Sequence, residues 1–163
     1  MQKYFLLLLL LLLGAMGFNA TPIDAAVIKR PTVANLTLIG DKVYYIEESL
    51  SVNWFHAGNL CRQLNGFLVN LESEQELLAL SAHLHPAKSY WLSLYELAIP
   101  GVYASQATGK DAQFLRWSAG QPDNIGGVEH CVELWRASSS FQMNDAPCET
   151  SLHFICELET ESD

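Results

Sequence analysis

This sequence predicts an α+β domain. Apolar residues recur at helical spacing in two early stretches, first Ala57, Leu60, Cys61 and Leu64, then Leu77, Leu80 and Leu84. Later, short runs of aromatic and β-branched residues alternate with turn formers, as strands and their connections do. Four cysteines, Cys61, Cys131, Cys148 and Cys156, reach across both parts and offer a covalent framework.

Taken in order, residues 1–17 have the form of a secretory signal peptide. Lys3 gives a positive start, Leu6 to Leu13 a short apolar core, and small residues follow. Cleavage is expected after Gly17, with Ala20 as a later alternative, so the protein is expected to be secreted and extracellular. A membrane anchor needs about 20 continuous apolar residues. No later segment comes near that, and no anchor is expected. Residues 18–41 contain Pro22 and Pro31 without periodicity and read as an extended N-terminal segment. Two sequons lie there, at Asn19 and Asn35; Asn35 is the better N-glycosylation candidate because Asn19 is close to the cleavage point.

The compact domain is expected over residues 42–158, followed by an acidic tail over 159–163. Lys42 to Ile46 reads as a strand. Ser51 is the expected N-cap of a helix running to Leu64 and ended by Gly66. Ser73-Glu74-Gln75-Glu76 matches a capping box and opens a second helix whose pattern carries to Pro86. Strands follow at Tyr90–Leu94, Phe114–Trp117, Cys131–Trp135 and His153–Cys156, with no internal repeat.

Composition narrows the function. Removing Lys3 with the leader moves the formal net charge from −9 to −10. Nucleic acid and anionic lipid surfaces both demand a basic face, so neither is an expected partner. Excess carboxylate suits a cation instead. An exported chain keeps its cysteines oxidised, and four of them allow three pairings, which sequence does not decide. Thiolate metal sites use close pairs such as C-x-x-C, and none occurs. Catalysis is not predicted: His83 and His85 are two apart and do not share a helical face, and no G-x-S-x-G nucleophile motif is present. His130 and His153 read as ordinary framework imidazoles.

One loop gathers oxygen ligands. Gly120 to Cys131 reads GQPDNIGGVEHC, and Gln121, Asp123 and Glu129 can supply three side chains. Asn144 and Asp145, just before Cys148, can supply two more. Calcium takes about 6–8 hard oxygen ligands from such groups. If Cys131 bonds Cys148, the two segments meet, and closing a loop of that length stabilises the fold by roughly 3 kcal/mol in the chain-entropy model. The bond before Pro122 is expected to be cis, since X-Pro is where that geometry costs only about 0.5–1 kcal/mol.

The surrounding framework is familiar. Trp54 and Ala57 ahead of Cys61, then Gly66-Phe67-Leu68, Trp91-Leu92-Ser93-Leu94, Trp117 before Gly120, Glu129-His130-Cys131, Asn144-Asp145 before Cys148, and Phe154-Ile155-Cys156-Glu157 follow one another in a single order. Over about residues 42–158 this resembles the C-type lectin carbohydrate-recognition domain. The resemblance implies two helices packed on short antiparallel sheets, long calcium-binding loops, and the pairings Cys61–Cys156 and Cys131–Cys148. It also implies that Gln121, Asp123, Glu129, Asn144 and Asp145 hold a calcium ion and touch a sugar coordinated to it. Family members with Gln-Pro-Asp prefer galactose-type sugars, so galactose or N-acetylgalactosamine on glycoproteins or cell surfaces is the implied ligand. The physical difference from mannose-type members is hydrogen-bond polarity: Gln121 brings an amide donor where a glutamate only accepts, and Asp123 removes a donor at the other end.

Departures from the family pattern matter too. Ile125 and two glycines stand where galactose-binding members usually place an aromatic ring, so Ile125 is the expected apolar sugar contact; Trp135 and Phe141 are the rings that could substitute, but both read first as buried or strand-packing aromatics. Met143 reads as a core filler. Only Glu96 remains of the acidic residues that hold an auxiliary ion in some members, and a second calcium is not expected. The rival reading is a lectin-like domain that binds protein or another non-sugar ligand without calcium. Agglutination would need more than one site per assembly, making a second copy a candidate partner, although no oligomerisation segment is visible.

Overall fold

The computed structural model describes residues 36–96 and 99–159. The expected leader, the sequons at Asn19 and Asn35 and residues 160–163 of the expected tail lie outside those residues. The elements run β1 (Leu36–Ile39), β2 (Lys42–Val52), α1 (Trp54–Gln63), β3 (Gly66–Leu68), α2 (Glu74–Ser81), β4 (Tyr90–Tyr95), β5 (Ala104–Ser105), β6 (Glu129–Arg136), β7 (Phe141–Pro147) and β8 (Leu152–Leu158). The strands form one sheet in the order β1-β2-β8-β4-β6-β7, with β3 added to β8 and β5 to β4. Only the β4–β8 pairing is parallel.

Central strands are apolar on both faces because both are covered. Adjacent Tyr44 and Tyr45 on β2 enter different cores. One core gathers Leu77 and Leu80 of α2 with Leu92, Val132, Leu134, Met143 and Ile155. The other gathers Trp54, Ala57, Leu60 and Cys61 of α1 with Leu68, Trp91, Phe154 and Cys156. Buried indoles need acceptors: Trp54 Nε1 donates to the Leu92 carbonyl at 2.8 Å and Trp91 Nε1 to the Val52 carbonyl at 3.0 Å. Cys61–Cys156 ties α1 to β8, and Cys131–Cys148 ties β6 to the residue just beyond β7.

Several local expectations are corrected. Residues 36–39, assigned to the lead-in, pair with β2 as β1. Ser51 is not a cap, because β2 continues to Val52; Asn53 caps α1 by accepting the His56 N–H at 2.9 Å. Gly66 does not end that helix either. Asn65 takes the left-handed turn at φ 59°, and Gly66 begins β3, where a Cβ would lie 2.3 Å from the Glu157 carbonyl oxygen. The second helix ends at Ser81 rather than reaching Pro86, and Leu84 joins the core from outside it. Phe114–Trp117 is not a strand: Trp117 alone forms an isolated bridge, to Met143. Finally, the segment carrying Asn144 and Asp145 is a full strand, β7, which the polar residues within it concealed.

Candidate cation and ligand site

The oxygen-rich loop is rooted on β7 from both ends. At its start the Met143 N–H donates to the Arg116 carbonyl at 2.7 Å and the Ser118 N–H to the Met143 carbonyl at 2.9 Å. At its end Glu129 opens β6 opposite Pro147. The Cys131–Cys148 bond, with Cα atoms 5.1 Å apart, locks the second root. Asn144 and Asp145 therefore face a loop that cannot drift away.

Asp145 is the anchor. It is 0% exposed, yet its carboxylate is well supplied: Oδ1 accepts the Asp123 N–H at 3.2 Å and Oδ2 the Asn124 N–H at 2.8 Å. The loop then braces itself. Glu129 Oε2 accepts the Ile125 N–H at 3.0 Å, and Asn124 Oδ1 accepts the Glu129 N–H at 3.0 Å. Asn124 holds a left-handed backbone at φ 43°, which asparagine tolerates better than most residues. The Gln121–Pro122 peptide is cis, and Gln121 Oε1 accepts the Asp123 N–H at 3.1 Å.

Three carboxylates converge as a result. Ligand oxygens of Asp123, Glu129 and Asp145 lie within 4.8 Å of one another. No ion pair among the described residues involves any of them. Burial, together with the Asp145 and Asp123 charges, holds the Glu129 carboxyl above its ordinary range, against the opposing pull of the Ile125 N–H. Next to Asp145 stands a second signal: the Asn144 side-chain oxygen is buried and has no hydrogen-bond partner, while its Nδ2 donates to Glu133 Oε1 at 2.8 Å. Clustered carboxylates without a cationic partner, beside an orphaned neutral oxygen, offer the hard oxygen donors that suit a divalent cation. The residues present fit calcium.

Of the residues singled out from sequence, Asp123, Glu129 and Asp145 are brought together, Gln121 lies on the same braced loop, and Asn144 sits beside Asp145 on β7. Ile125 is 66% exposed on a single turn of 3-10 helix. Phe141 is a core aromatic, as expected, buried against Tyr90 at 6.2 Å between centroids. Trp135 is half-buried and its Nε1 donates to Ser118 Oγ at 3.0 Å, so it supports the loop root. Met143 is buried in the core. Glu96 is occupied otherwise, accepting the Gly101 N–H and lying 3.6 Å from His130 Nδ1.

Sequence reasoning missed Asn124, Val128 and Glu133. An asparagine ahead of a glycine pair could have signalled the left-handed turn. Val128, 55% exposed, is a second exposed apolar side chain of the same loop, three residues after Ile125. Glu133 interrupts the apolar run between Val132 and Leu134, which is itself a signal. A cavity of about 580 Å³ lies elsewhere and shares no residue with the loop; Lys42 stands in its wall, ion-paired with Glu72 and Glu157. A smaller one of about 310 Å³ adjoins the site, lined by Glu96, Tyr103, Leu115, Trp117, Asp123 and Asp145 among others. There burial, followed by the Asp145, Glu96 and Glu129 charges, pushes the Tyr103 hydroxyl up.

Comparison with known proteins identifies the family and the fold. The profile of the Lectin C-type domain matches residues 50–158. C-type lectin 37Db of Drosophila melanogaster is 53% identical over 150 residues, covering 91% of this chain and 97% of that protein. Perlucin of Haliotis laevigata is 33% identical over 118 residues, covering 71% and 76%. Among solved structures, the mouse scavenger receptor C-type lectin carbohydrate-recognition domain superposes with a TM-score of 0.71 at 27% identity, covering 80% of this chain and all of that one.

Proposed function

The chain belongs to the C-type lectin family, and we propose that it is a secreted, calcium-dependent carbohydrate-binding protein that takes galactose-type sugars, galactose or N-acetylgalactosamine. The observation that carries this reading is the trio of unpaired carboxylates within 4.8 Å of one another, adjoined by the buried, unpartnered oxygen of Asn144. Gln121, Asp123, Glu129, Asn144 and Asp145 hold the ion. When bound, calcium supplies open coordination positions for two neighbouring sugar hydroxyls. The chain's own residues set which hydroxyls fit: the Gln121 amide donates at one end, and the Asp123 carboxylate only accepts at the other. Ile125 and Val128 offer apolar surface for the sugar's carbon face, and without an aromatic ring there the affinity of a single site is weak.

Export through the leader over residues 1–17 and glycosylation at Asn35 belong to the same proposal, supported by the sequence motifs alone. No helix among the described residues is long and apolar enough to cross a membrane. A glycan array run with calcium and again with chelator tests the function. Calcium-dependent signal on terminal galactose or N-acetylgalactosamine supports it, whereas signal that survives chelation, or that falls on mannose, contradicts it.

A further inference from the structure

We propose that Glu133 is a positioning residue for the cation site: its carboxylate dictates which end of the Asn144 side-chain amide is left free, so that the oxygen and not the nitrogen is available as a ligand. This rests on the calcium-site reading above. The two ends of an asparagine amide are nearly identical in shape, and only one of them can ligate a cation. Shape alone therefore cannot select it. An acceptor-only neighbour can, because it bonds the NH2 group and rejects the oxygen.

Glu133 is built for that task. It lies directly across from Asn144 in the β6–β7 ladder and accepts its Nδ2 at 2.8 Å. Its other cross-strand neighbour is Trp91 on β4. It is only 7% exposed, and no ion pair among the described residues compensates it. A buried carboxylate between apolar neighbours costs stability unless it serves a contact that an apolar residue could not make. Ser89 also hydrogen-bonds the carboxylate, and the Asn144 contact leaves the Asn144 oxygen as the one buried atom of that side chain with no partner.

The test uses the full chain, calcium as the probe, and three variants, Glu133→Gln, Asn144→Asp and the two combined. A glutamine can donate as well as accept, so it no longer enforces the amide's orientation. Calorimetric calcium affinity should fall by about 10–100-fold, the range seen when a supporting partner of a metal ligand is lost. Adding Asn144→Asp should restore affinity to within a few-fold of wild type, because a carboxylate presents an oxygen whichever way it turns. Asn144→Asp alone is the control for the added charge, which strengthens calcium binding by itself: a merely structural role makes Glu133→Gln cost as much with Asn144→Asp as without it, whereas the positioning role makes it nearly costless once Asn144→Asp is present. In calcium-free wild type, the Asn144 side-chain NH2 should show one shifted, exchange-protected proton in the nitrogen-proton spectrum, and this should vanish in Glu133→Gln. Unchanged calcium affinity in the single variant, failure of the double variant to recover, or a freely exchanging Asn144 amide in the wild type each overturns the proposal. A wild type that takes no calcium at all removes the site reading itself.

Discussion

Replacing Glu129 by glutamine should change stability in opposite directions with and without calcium. Glu129 shares the site with two other carboxylates, at no more than 4.8 Å. Two unit charges at that distance repel by about 0.9 kcal/mol in a water-like dielectric and about 3.5 kcal/mol at an effective value near 20. The pair with exposed Asp123 sits near the water-like end and the pair with buried Asp145 above it, so the two together give at least about 2 kcal/mol. Neutralising the side chain also weakens its bond from the Ile125 N–H by about 1 kcal/mol. The calcium-free variant should therefore gain at least about 1 kcal/mol, or about 4 °C in melting temperature for a domain of this size. With calcium at a hundred times its dissociation constant, wild type gains about 2.7 kcal/mol by mass action. The variant has lost a charged ligand and forfeits most of that gain. Thermal melts followed by circular dichroism, in chelator and in saturating calcium, should thus cross. A variant destabilised equally in both conditions would refute the reasoning, because Glu129 would then matter only through the loop it braces.

Other expectations are simpler. Calcium affinity should be full above the raised Glu129 pKa and fall as pH drops through it, so that release begins above the ordinary carboxylate range; affinity measured by titration that stays flat through mild acid contradicts this. Gln121→Glu combined with Asp123→Asn should move selectivity on a glycan array from galactose-type towards mannose-type sugars, and unchanged selectivity in a folded, calcium-binding variant counts against the polarity account. Burial of Glu47 opposes its ionisation, but the Tyr45 hydroxyl and the Ser49 and Leu50 N–H groups outweigh that and hold its pKa down. A lowered folded pKa contributes stability that is present above the unfolded value and lost as pH falls through the folded one. Urea unfolding should accordingly show less acid sensitivity in Glu47→Gln than in wild type, and equal sensitivity would remove Glu47 as a cause.

Much of this was legible in the residues because local rules and tertiary structure agree. Leu77 and Leu80 at helical spacing do face a core, Ser73 does accept the Glu76 N–H, and the short run Cys131–Trp135 does mark a strand. Legibility failed where long-range pairing overrode local preference. Ser51 is a good cap residue, yet β8 holds β2 extended through Val52. Phe114–Trp117 looks like a strand, but its neighbours offer only single backbone bonds around Met143. β7 was hidden for the opposite reason: Gln142, Asn144 and Asp145 are polar in sequence, while the strand is fixed by its ladder to β6. The cation site divides similarly. Its ligand types and spacing could be read directly, but the orphaned Asn144 oxygen and the buried Glu133 exist only once β6 and β7 are side by side.

The central claim is that calcium and sugar share one point of attachment on this loop. A crystal structure grown with calcium and N-acetylgalactosamine tests it most directly. The account predicts one ion coordinated by Gln121, Asp123, Glu129, Asn144 and Asp145, with two adjacent sugar hydroxyls completing its shell. A sugar bound away from the ion, or an ion that leaves these five side chains untouched, would contradict it.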